Sequence, residues 1–67
     1  MKIAKFAAAR SRVLSVVPQD SKVTVAITYE RKGEVKPVDT LVFDGQTALE
    51  LGEELVKSAA RLGVVRS

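Results

Sequence analysis

The chain has 67 residues, 46% of them apolar, with 11 Lys or Arg against 8 Asp or Glu and a net charge of +3. That length holds one small domain, expected to span residues 1–67, and buries only about 60% of its unfolded surface, so a lone core is marginal. Cys, His and Trp are absent, which excludes disulfides, Cys/His zinc sites, thiolate nucleophiles and the commonest general base near neutral pH; of the usual staples, oligomerisation remains.

The five serines have no imidazole to activate them. Carboxylate chemistry needs a concave, water-poor pocket of about 300 Å³ or more, which one layer of helix on sheet rarely encloses. The expected class is therefore a binding or interaction protein rather than an enzyme, with no cofactor and no metal. The start, Met1 to Arg10, has the Lys and small residues of a signal peptide, but Lys5, Arg10 and Arg12 break its apolar run. No stretch reaches the roughly 18–20 apolar residues of a membrane span. A cytoplasmic protein is expected.

Ile3, Phe6, Ala7, Val13, Leu14 and Val17 have helical spacing, but Arg10 would fall inside that apolar stripe. A strand at about 10–17 is preferred, with residues 1–9 extended or forming a further strand. Val17-Pro18-Gln19-Asp20-Ser21 predicts a turn, with Pro18 at the second position of a type I turn. Residues 22–30 are the clearest strand: Val23, Val25, Ile27 and Tyr29 share one face, and Lys22, Thr24, Ala26, Thr28 and Glu30 the other. Arg31-Lys32-Gly33-Glu34 makes a charged hairpin tip.

Residues 35–43 resume a strand, and Pro37 places its beginning at an edge or a bulge. Asp44 then caps a helix at about 45–62, stopped by Gly63. Glu50, Glu53 and Glu54 precede Lys57 and Arg61, which suits the macrodipole, and Glu53 with Lys57 forms an i,i+4 pair. The apolar arc of this helix is wider than one sheet needs. Two readings stand side by side: a deeply seated helix, or an edge, Leu49–Val56–Ala60 or Leu51–Leu62, that meets a second subunit. Leu49, Leu51, Val56 and Ala60 are the candidate dimer-interface residues. Val and Ala dominate the apolar set, which favours strands and buries little area per side chain.

The charge is unevenly spread. Residues 1–36 hold eight cations against three carboxylates, and residues 37–67 hold three against five. The sheet is thus expected to be basic and the helix acidic. The helix would cover one sheet face, and the other would show Arg10, Arg12, Lys22 and Lys36 among Thr24, Ala26 and Thr28, a surface able to track a phosphate backbone. Ordinary solubilising charge, with Lys guarding edge strands, is the competing explanation. Tyr29 and Phe43 are assigned to the core, leaving Phe6 as the base-stacking candidate.

Arg12-Val13-Leu14-Ser15-Val16, Lys22-Val23-Thr24-Val25-Ala26-Ile27, Gly33-Glu34-Val35-Lys36-Pro37, Leu41-Val42-Phe43 and Gln46 at the helix entry together resemble the single-stranded-DNA-binding transcriptional coactivator family of positive cofactor four and its bacterial and phage relatives. The resemblance spans about two-thirds of the chain. It implies a curved antiparallel sheet followed by a helix, dimerisation through the helices, and single strands bound on basic sheet ridges. Arg12, Lys22, Lys32 and Lys36 are the phosphate contacts it carries over. The family's Gly- and basic-rich stretch after Lys-Pro is here Val38-Asp39-Thr40, and its aromatic residue near the helix start is here Thr47-Ala48.

The expected architecture is α+β: an antiparallel sheet of three or four strands with one C-terminal helix across one face, as a homodimer. The expected function is binding of nucleic acid, single-stranded DNA first, or a role accessory to transcription, with Arg10, Arg12, Lys22, Lys32 and Lys36 as the site. The alternative is a protein-interaction module, such as a small phage- or plasmid-type accessory protein that binds a host protein.

Overall fold

The computed structural model describes residues 3–64. Lys2 and Arg66, counted in the charge above, lie outside them. Four strands, β1 (Ala4–Ala8), β2 (Arg12–Gln19), β3 (Lys22–Arg31) and β4 (Glu34–Asp44), form one antiparallel sheet in the order β1-β2-β3-β4, and helix α1 (Gly45–Arg61) follows. This is the expected α+β arrangement, with the first residues supplying the fourth strand.

The turns explain the meander. Asp20 and Ser21 both have positive φ, as do Lys32 and Gly33, the conformation that matches the twist of flanking strands in two-residue hairpins. The turn expected around Pro18 is therefore displaced. β2 continues through Pro18 to Gln19, and Pro18 pairs with Val23. Among the described residues the β1–β2 ladder ends at Ala4 opposite Val16, so Pro18 interrupts none of its described pairs. At Pro37 the sequence reading offered an edge or a bulge, and both hold. β4 is an edge strand, and its register with β3 shifts between Ile27, opposite Asp39, and Thr28, opposite Pro37, leaving Val38 as the extra residue.

The helix ends follow their residues. The Asp44 side chain accepts a 2.7 Å hydrogen bond from the Thr47 amide. At the other end Gly63, at φ 84°, donates to the Ala60 carbonyl and Val64 to that of Ala59, the paired bonds of a Schellman stop. Lys57 meets Glu54 at 3.6 Å, not Glu53; a one-turn reach to i−3 replaces the expected i,i+4 pair.

Residues directly opposite in a ladder share a face. Phe6, Leu14, Val25 and Leu41 therefore lie on the face that carries Val23 and Phe43, and α1 lies over this face. Between helix and sheet runs an apolar groove of about 440 Å³, bounded by Phe6, Leu14, Val25, Phe43, Leu51 and Leu55 among others. The groove is open. No apolar side chain among the described residues is buried, and Phe6, Leu51 and Leu55 are 57%, 43% and 62% exposed.

Candidate nucleic-acid interface

The alternation of strands and turns brings two loops to the same end of the sheet. The β1–β2 turn carries Arg10 and the β3–β4 turn carries Lys32. Between them the register aligns Arg12, Tyr29 and Lys36 in one row across β2, β3 and β4, a span of about 10 Å at the usual strand spacing. Arg31 lies two residues beyond Tyr29 on the same face. Five cations thus surround one tyrosine, with Glu30 and Glu34 as the carboxylates nearby.

The centre of this cluster is ordered by its own chemistry. The Arg12 guanidinium carbon lies 5.5 Å from the Tyr29 ring centroid, within cation–π range. Its Nη1 also donates a 2.9 Å hydrogen bond to the Arg10 carbonyl. Arg10 and Ser11 both have positive φ, and the Ser11 carbonyl accepts the Glu30 amide at 2.8 Å, which ties the turn to β3. Lys36 lies 3.5 Å from Glu34 in an exposed ion pair, worth little in water. Among the described residues the ion pairs are Lys36–Glu34 and Lys57–Glu54, so Arg10, Arg12, Arg31 and Lys32 form no ion pair among them.

Four of the five expected nucleic-acid-binding residues, Arg10, Arg12, Lys32 and Lys36, come together here. Lys22 does not. It stands at the opposite end of the sheet, paired with Asp44. The Asp44 carboxyl is held below its ordinary pKa of 3.8, first by the hydrogen bonds from Thr47 and also by the Lys22 charge. The face assignment is corrected too. Arg12 and Lys36 lie on the helix-bearing face, in the Tyr29 row, while Lys22 shares the other face with Thr24, Ala26 and Thr28. By strict alternation from Asp39, Lys36 would fall on that other face, and the extra residue at Val38 returns it.

The aromatic assignments exchange places. Phe6, expected to stack bases, lines the apolar groove with Phe43. Tyr29, assigned to the core, sits half-buried beneath Arg12 at the basic end. Arg31 was missed, although its place beside Lys32 at the hairpin tip was visible in the sequence. Of the candidate dimer residues, Leu51 faces the groove, whereas Leu49 and Val56 line an adjoining flank of α1, with Ala48 and Gly52 bordering both. Ala60 is exposed near the helix end.

The groove lining has no titratable side chain, and among the described residues no three Asp or Glu converge as metal ligands do. No helix among them is long and apolar enough to cross a membrane. Comparison with protein-family models, with curated proteins and with solved structures gave no match.

Proposed function

We propose that this protein binds single-stranded nucleic acid at the basic end of its sheet, as a cytoplasmic binding protein rather than an enzyme. The observation that carries the reading is the row Arg12–Tyr29–Lys36, with the Arg12 guanidinium over the Tyr29 ring and Arg10, Arg31 and Lys32 around it. Cations that follow a backbone supply affinity for any sequence, and a flat guanidinium or ring supplies a surface for an unpaired base. A duplex hides its base faces and leaves the platform unused. An antiparallel sheet followed by one helix is also what the resemblance to the positive-cofactor-four family implies, and a role accessory to transcription follows from the same resemblance.

The test is fluorescence anisotropy of a labelled oligothymidine titrated with protein at several salt concentrations. Affinity is expected to fall steeply with salt. Arg12→Gln should make the logarithmic salt slope shallower by about 0.7, the value for one phosphate contact on a single strand. Lys22→Gln, at the far end, should leave it unchanged. Absence of binding at low salt, or equal loss from both variants, contradicts the proposal.

A further inference from the structure

We propose that the groove under α1 takes the tail of a single-chain anionic amphiphile of the fatty-acid class, with its carboxylate on Arg12. The inference goes beyond the nucleic-acid reading and shares only Arg12 with it. The lining argues first. Every side chain around the groove is apolar, from Phe6, Leu14 and Val25 on the sheet to Leu51 and Leu55 on the helix, so none of them pairs with a polar group. An extended peptide lying there would leave its amides without partners from that lining. A helix is too broad, because two turns, about 10 Å across and 11 Å long, occupy roughly 800 Å³, against about 440 Å³ for the groove. A hydrocarbon chain meets both limits, and the volume lies in the range of small-molecule sites, about 300–1,000 Å³.

The charge argues second, because on this face the cations stand at one end only. Val23, Val25, Ile27 and Tyr29 mark four successive rows along β3, and Arg12 and Lys36 belong to the row of Tyr29. The groove stops one row short of them, at Leu14 opposite Ile27. Asp39 lies at the β4 edge of that last apolar row, and its carboxylate accepts the Thr40 amide at 2.8 Å. Its charge repels an anion from the Lys36 side and leaves Arg12, on β2, as the contact for the head group. The Tyr29 ring and the Arg10 carbonyl already orient the Arg12 guanidinium. The bond to Arg10 uses one of five N–H donors, and the rest suit a carboxylate.

The length argues third. From Val23 to Ile27 the strand advances about 13 Å, and to Tyr29 about 20 Å, at the usual rise per residue. An acyl chain in one bilayer leaflet spans half of the roughly 30 Å hydrocarbon core, or about 15 Å. A chain with its methyl end at Val23 and Phe43 therefore leaves the groove beside Leu14 and brings its carboxylate to the Arg12 row. On the way it covers Phe6 and Leu55, which are otherwise more than half exposed.

The experiment is calorimetric and NMR titration of the full chain with dodecanoate below its micelle concentration, beside octanoate, dodecan-1-ol and phosphatidylglycerol vesicles. One dodecanoate per chain is expected, with contacts from its terminal methyl group to the Phe43 ring. Octanoate should bind more weakly, by up to about fourfold for each methylene removed. Dodecan-1-ol on the wild type, and dodecanoate on Arg12→Gln, should each bind about 10-fold or more weakly, the worth of one hydrogen bond to a charged group. The alcohol tests the head group without altering the protein. No saturable binding, equal affinity for acid and alcohol, methyl contacts away from Phe43, or binding to vesicles alone overturns the proposal. So does a groove filled by a second copy, seen as contacts between chains in a mixed-label sample. No oligonucleotide enters these titrations, so their failure leaves the nucleic-acid reading untouched.

Discussion

Asp44 joins β4 to α1, and its carboxylate does two jobs there: it accepts the Thr47 amide and faces Lys22 across the ladder. Its pKa is lowered in the folded chain. The stability it adds is therefore complete above its unfolded value, near 3.8, and is lost as pH falls through the still lower folded value. The Tm difference between wild type and Asp44→Asn should accordingly be flat above about pH 5 and shrink below about pH 4; a difference independent of pH would contradict this. At the other end of the sheet, Tyr29 and Arg12 separate stacking from charge. Tyr29→Leu should weaken oligothymidine binding by about 5- to 150-fold, the worth of about 1–3 kcal/mol per stacked base, while keeping the salt slope. Filter binding at two salt concentrations checks both. The cap at Asp44 and the stop at Gly63 were legible because single residues with fixed preferences made them. Tyr29 was not, because alternation assigns a face but not a position along the strand, and the helix covers only part of that face.

The hairpins are set by their turn residues. Lys32-Gly33 places two successive residues at positive φ, and Gly33 is the one that does so without a side chain. Gly33→Ala should destabilise the fold by about 1–2 kcal/mol, the usual penalty of a left-handed residue with a Cβ, measured by urea unfolding. Nothing within 4 Å would meet the new methyl group, so the loss would report backbone conformation alone. Strands β3 and β4 and helix α1 fall within a residue or two of where periodicity put them. β2 runs two residues past its expected end, because Pro18, expected as a turn former, pairs instead with Val23 beyond the described β1–β2 ladder. The bulge at Val38 was signalled by Pro37, yet its consequence, the return of Lys36 to the Tyr29 face, depends on a register that pairing alone reveals.

At the scale of the molecule, the contrast between basic sheet and acidic helix becomes more local. The positive charge gathers at the end of the sheet where the β1–β2 and β3–β4 turns lie, and the Lys22 end is offset by Asp20 and Asp44. Such a dipolar arrangement steers a polyanion toward one end. The groove between helix and sheet is apolar and open, and it lies apart from the charged end of the sheet. Tyr29 is the single tyrosine, and tryptophan is absent, so intrinsic fluorescence reports from the centre of the basic end without a label. Titration of the protein with unlabelled oligothymidine at low salt, read by tyrosine emission, therefore tests the central claim most directly. A saturable change in Tyr29 emission is expected, reversed by added salt and weakened by Arg12→Gln. Emission that stays constant while the oligonucleotide is demonstrably bound would place the nucleic acid elsewhere and contradict it.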